Sequence, residues 1–121
     1  MPGNRAQRVG RQVLQEVSAI VEHDLGDPRL RGATFTSARI SPDLRHARIM
    51  FSCMGDKKTR NHLREALVHA GAYIRRELTR RLSLRFSPTL TFELDDSLER
   101  AERIDKLLWA DGLRGSRRSK D

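Results

Sequence analysis

The chain has 121 residues, 24 of them Lys or Arg and 16 Asp or Glu, which leaves a formal charge of +8. That length suits one domain of the usual roughly 100–150 residues, and one core can form without disulfides. A single cysteine, Cys53, excludes an intramolecular disulfide and multi-cysteine zinc or iron–sulfur sites. No apolar stretch approaches the ~18 residues of a membrane span, and no apolar leader core follows the opening Met-Pro-Gly-Asn-Arg-Ala, so a soluble cytoplasmic protein is expected.

Asn4, with Gln7 three residues on, reads as a capping box opening a helix. Ala6, Val9, Val13, Leu14, Val17, Ile20, Val21 and Leu25 fall on one arc of its wheel, opposite Arg8, Arg11, Gln15, Ser18 and Glu22. Gly26-Asp27-Pro28 should end it, since Pro cannot continue the hydrogen-bond ladder. Residues 33–41 are small and β-branched and predict a strand. Ser41-Pro42-Asp43-Leu44-Arg45 carries turn chemistry, and residues 46–53 alternate Ala47, Ile49, Phe51 and Cys53 against Arg48, Met50 and Ser52. Together these segments predict an antiparallel hairpin, with Cys53 as a small core residue.

Residues 57–85 form the longest helical pattern, with Leu63, Leu67, Ala70, Ile74 and Leu78 on one stripe. Gly71, inside Ala70-Gly71-Ala72, costs about 1 kcal/mol against Ala in a helix and predicts a kink in preference to one straight helix. After Ser87-Pro88, Leu90, Phe92 and Leu94 alternate with Thr89, Thr91 and Glu93 as a third strand. Asp95-Asp96-Ser97 then offers caps for a last helix whose inner side is Leu98, Ala101, Ile104, Leu107 and Leu108, with Trp109 as a partial packing anchor and Gly112 at its end. The expected organisation is one domain over residues 1–112 and a disordered basic tail over 113–121.

Charge is unevenly spread. Residues 57–85 carry +7 and the tail +3, whereas residues 86–112 carry −4, a polarity that suits one oriented face for a polyanion. Arg75, Arg76, Arg80 and Arg81 crowd within two turns, Arg85 follows and Arg64 precedes, while Glu65 and Glu77 neutralise little of this. Clustered like charges weaken a helix, and arginine forms bidentate contacts with phosphate, so these six residues are the candidate RNA-binding set. Arg8, Arg11, Lys57, Lys58, Arg114, Arg117 and Arg118 are secondary basic contacts.

Glu93, Asp95, Asp96 and Glu99 would suit a metal-dependent nuclease, but they also stand where a helix N-terminus favours acceptors and negative charge. His62 and His69 are seven residues apart, too far for one metal on a helix, and are expected at the surface with His23 and His46. No nucleophile elbow, P-loop or dinucleotide-binding glycine pattern is present, so neither catalysis nor a cofactor nor a small-molecule substrate is expected.

The element order is that of an α+β, type II KH-like domain, α-β-β-α-kink-α-β with a C-terminal helix, a small RNA-binding fold. A typical KH domain has a GxxG loop between its central helices; this chain has Ala70-Gly71-Ala72 there. Asp27-Pro28-Arg29-Leu30, Ser41-Pro42-Asp43-Leu44, Ile74-Arg75-Arg76-Glu77-Leu78, Arg81-Leu82-Ser83-Leu84-Arg85, Pro88-Thr89-Leu90-Thr91-Phe92, Asp95-Asp96-Ser97 and Arg103-Ile104-Asp105-Lys106-Leu107-Leu108 follow in an order that resembles the ribosome-binding factor A family over about residues 5–109. That family's kink is usually written Ala-x-Gly, so here the glycine stands one place early. The resemblance implies a monomeric bacterial assembly factor that binds the free 30S subunit or its precursor, assists maturation of 16S rRNA and matters most in the cold. The alternatives are a general RNA chaperone without ribosome preference and, further off, a metal-dependent nuclease.

Overall fold

The computed structural model describes residues 2–110, without the side chains of residues 2–4, 98, 99, 102, 106 and 108–110. Helix α1 spans Pro2–Ala19 and passes directly into a π-helical turn over Ile20–Asp24. The helix therefore begins two residues before Asn4, which lies in its first turn and not at its cap. Pro2 suits the first helical position, where a backbone N–H has no partner to lose. At the other end Leu25 is already extended, so the helical run stops one residue before the end of the expected arc, while Leu25 still packs against the core. The wider π turn sets Ile20 and Val21 in the core and leaves Asp24 to face the next long helix.

A short 3₁₀ turn, Pro28–Leu30, follows, capped by the Asp27 side chain, which accepts from the Arg29 backbone N–H. Strands β1 (Ala33–Ile40) and β2 (His46–Cys53) pair antiparallel as expected, with a register shift between Phe35 and Ser37. Leu44 turns the corner at φ +62°, held by the Leu44 N–H bond to the Ser41 carbonyl at 2.8 Å. Ala47, Ile49 and Phe51 are buried and Cys53 is half-buried against the same core.

Helix α2, Lys57–Arg81, continues through Ala70-Gly71-Ala72, so the two expected helical segments form one element of 25 residues. The cost of Gly71, about 1 kcal/mol, is outweighed by fully burying a Leu or Ile, worth roughly 1.5–3 kcal/mol each. Leu67, Ile74 and Leu78 are all completely buried on either side of it. Asp56 caps the helix by accepting from the Thr59 N–H at 2.9 Å. At the far end Ser83 adopts φ +51°, the Ser83 N–H reaches the Arg80 carbonyl and the Leu84 N–H reaches the Thr79 carbonyl, the paired bonds of a Schellman motif. The helix thus closes at Arg81, four residues before the end of the pattern.

Strand β3 (Thr89–Leu94) pairs parallel to β2, giving the order β1-β2-β3. Val9, Val13 and Val17 from α1 and Leu63, Leu67, Ile74 and Leu78 from α2 meet Ile49, Phe51 and Phe92 in one core, so both helices cover the same face of the sheet. Gly10 permits the close approach of α1 to β1, because a Cβ there would stand 2.9 Å from the Ala38 carbonyl oxygen.

Helix α3 spans Ser97–Ala110. The described residues of its expected inner side do not pack inward: Ala101 is exposed, Ile104 is 58 % exposed and Leu107 65 %. The apolar spacing was real, but the sheet face it would need is already filled by α1 and α2. The side chains of Leu98, Leu108 and Trp109, and the whole of Gly112 and the tail, lie outside the described residues. Among the described residues no helix is long and apolar enough to cross a membrane.

Candidate nucleic-acid interface

The exposed side of α2 and the loop that follows it carry most of the candidate arginines. Arg64, Arg75, Arg76, Arg80 and Arg85 are all exposed. Arg75 and Arg80 border one groove of about 420 Å³, together with Ala72, Arg76, Thr79 and Ser87. Arg75 is oriented by its Nη2 donating to the Ser87 carbonyl at 3.0 Å, and Thr79 Oγ1 lies 2.8 Å from Ser87 Oγ. The Arg76 guanidinium lies 5.5 Å from the Tyr73 ring centroid, a cation–π distance. Arg80 reaches back to Glu77 at 2.7 Å, and this bond, with that from Arg81, holds the Glu77 carboxyl below its ordinary value.

Arg81 does not join that surface. Its side chain is only 24 % exposed and meets three carboxylates, Asp24 at 2.7 Å, Glu77 at 3.2 Å and Glu16 at 3.3 Å. The Tyr73 hydroxyl donates to the same Asp24 at 2.9 Å, a bond that raises the phenol pKa. Arg81 thereby ties α1 and its π turn to α2, a structural duty that charge counting along the sequence does not distinguish from ligand binding. The π turn is what delivers Asp24, and nothing in the local spacing announces it.

The remaining basic residues are placed differently. Arg64 is eleven residues before Arg75, about 16 Å along the helix at 1.5 Å per residue, on the side of α2 where its charge reaches Glu93 of β3. Lys57 and Lys58 are exposed at the opposite end of α2 from the groove. Arg8 and Arg11 are exposed on α1, Arg11 bordering a second groove beside Thr36, Ser37, Arg39 and Ile40. Arg114, Arg117 and Arg118 lie outside the described residues.

Sequence reasoning missed two members of this surface, Arg45 and Phe86. The Arg45 guanidinium stacks 4.1 Å from the Phe86 centroid, and that of Arg85 lies 5.5 Å from it. The Arg45 carbonyl accepts from the Thr89 N–H at 2.8 Å, so the hairpin turn is pinned beside the loop carrying Phe86. Only the parallel β2–β3 pairing brings those segments together, and a single sequence gives no direct sign of it.

Three of the four residues of the acidic group are engaged by the protein itself, and the side chain of Glu99 lies outside the described residues. Asp95 Oδ1 accepts from the Ser97 N–H at 3.0 Å and Oδ2 from the Thr36 hydroxyl at 2.7 Å, bonds that lower its pKa from 3.8 to about 2. Glu93 pairs with Arg48 at 2.7 Å and Asp96 with Arg100 at 3.2 Å. Among the described residues no group of three or more His, Cys, Asp or Glu is placed to hold a metal. His23, His46, His62 and His69 are exposed.

The family profile for ribosome-binding factor A matches residues 5–108. A relative from Solibacter usitatus, a ribosome-binding factor A, is 43% identical over 120 residues, covering 99% of this chain and 94% of its own. The crystal structure of ribosome-binding factor A from Thermus thermophilus superposes with a TM-score of 0.64 at 23% identity, over 72% of this chain and 92% of its own, which shows a shared fold. A homology model of the Thermus thermophilus factor, fitted into the cryo-EM map of its complex with the 30S subunit, superposes with a TM-score of 0.62 at 22% identity, over 75% and 96%.

Proposed function

The chain belongs to the ribosome-binding factor A family, and from that premise we propose a non-catalytic cytoplasmic assembly factor that binds the free 30S subunit or its precursor. In this reading the protein acts as a monomer, assists processing of 16S rRNA and is needed most in the cold. Residues 1–112 serve as one RNA-binding unit, and the basic tail over 113–121 adds nonspecific attraction.

The observation that carries the reading is the convergence of Arg75, Arg76 and Arg80 around one groove, with Arg85 on the adjoining loop. Guanidinium groups donate to phosphate oxygens, and each phosphate neutralised relieves the mutual repulsion of the neighbouring arginines. Arg64 extends the positive side of α2 along the helix, whereas Arg81 holds the scaffold together. The 30S complex of a fold neighbour supports the choice of partner. The nuclease alternative loses ground because Glu93, Asp95 and Asp96 are each engaged by protein groups.

Co-sedimentation with purified 30S subunits, 70S ribosomes and bulk RNA at rising salt tests this function. Selective retention on 30S subunits is expected. Equal binding to all three would replace the assembly factor with a general RNA chaperone.

A further inference from the structure

We infer that the Arg45–Phe86–Arg85 stack seats one unpaired nucleobase of the bound RNA; this rests on the RNA-binding reading above and names the ligand chemistry of that face. Phe86 is 45 % exposed, although Pro88, two residues on, is among the fully buried side chains. The loop is therefore firmly anchored while its one aromatic ring is held at the surface. An exposed Phe alone is ordinary, but this ring is sided by two exposed guanidiniums at 4.1 and 5.5 Å. A polyanion without bases would be satisfied by arginine alone. An exposed π surface with guanidinium charge beside it adds affinity for a second planar π system that carries negative charge.

A nucleotide has that composition. Arg75, bonded to the carbonyl of Ser87 at 3.0 Å, brings the phosphate-binding groove next to the ring. With a phosphate in the groove, the attached base is within reach of the stack. Bases in a duplex have their faces covered by neighbours, so the seat favours single-stranded RNA. Every base has a π face, so it tolerates sequence. The two walls come from different segments, the hairpin turn and the loop after α2, and the 2.8 Å bond from the Thr89 N–H to the Arg45 carbonyl fixes their spacing.

The test is an anisotropy titration with fluorescein-labelled octauridylate and with an octamer of the same phosphates lacking every base, at one fixed salt concentration. The native protein should bind octauridylate roughly tenfold tighter than the abasic octamer, toward the lower end of base–aromatic stacking. Phe86→Leu keeps an apolar body without the π face and should erase that ratio; Phe86→Trp should preserve it. Arg76→Glu with Arg80→Glu should weaken both oligomers alike. Equal affinity of the native protein for the two oligomers, or an unchanged ratio in Phe86→Leu, overturns the base seat and leaves the RNA reading standing. Failure to bind either oligomer overturns both. Should Phe86→Leu not fold, Phe86→Trp in a Trp109→Phe background decides: quenching by octauridylate alone supports the seat, and no quenching overturns it.

Discussion

Gly10 and Gly71 both sit inside helices, and replacing each by alanine should move stability in opposite directions. Alanine is favoured over glycine in a helix interior by about 0.8–1.0 kcal/mol. At Gly71 a Cβ meets nothing within 4 Å beyond the helix's own backbone, so Gly71→Ala should gain about that amount. At Gly10 the same Cβ would stand 2.9 Å from the Ala38 carbonyl oxygen, a backbone atom fixed in β1. Relieving it requires α1 to lift off the sheet, and forced overpacking costs typically 1–3 kcal/mol. Set against the propensity gain, Gly10→Ala should lose roughly 0–2 kcal/mol. At about 4 °C per kcal/mol for a domain of this size, Gly71→Ala should melt about 4 °C higher than the native protein, and Gly10→Ala up to about 8 °C lower. Thermal unfolding followed by circular dichroism reads both, and urea midpoints check them. Equal stabilisation by the two substitutions would refute the close α1–β1 approach, and destabilisation by Gly71→Ala would refute the unbroken helix.

The carboxylate hub predicts that Arg81→Ala lowers Tm more than Arg80→Ala, because Arg81 joins Glu16, Asp24 and Glu77 whereas among the described residues Arg80 pairs with Glu77; an equal loss would remove Arg81 from its structural role. Asp95 is more acidic folded than unfolded, chiefly through its bonds with Ser97 and then Thr36, so it stabilises the fold above about pH 4 and loses that effect as pH falls from 3.8 toward about 2. Asp95→Asn should therefore be less stable at neutral pH and show a flatter decline in acid titration; a slope equal to the native one would show that the carboxylate contributes nothing there.

Periodicity located α1, the hairpin, α2 and β3 because each buries a regular stripe against one core, and residues such as Val13, Ile49, Leu67 and Phe92 mark it directly. Where an element's fate depends on a distant partner, the pattern was insufficient. Ile104 and Leu107 have the spacing of a buried face, yet the sheet side they would need is taken by α1 and α2. Gly71 carries a local penalty that flanking burial overrides. Charge density picked out the end of α2, but it could not separate Arg81, held by Asp24 from a π turn, from Arg75 and Arg76 on the open side. Arg45 and Phe86 stayed hidden because forty residues of chain separate two segments that meet only through the parallel pairing of β2 and β3.

If arginines on the open side of α2 and the loop after it meet RNA phosphates, reversing their charge must weaken ribosome binding. The direct measurement is the affinity of Arg76→Glu, Arg80→Glu for 30S subunits across a salt series, with circular dichroism confirming the native fold. Five phosphates neutralised by Arg64, Arg75, Arg76, Arg80 and Arg85 give a log–log salt slope near about −3.5 for single-stranded RNA, and losing two of them should bring it to about −2. That shallower slope should come with at least about a tenfold loss of affinity at low salt. A folded double variant that binds 30S subunits with native affinity and native slope would contradict it.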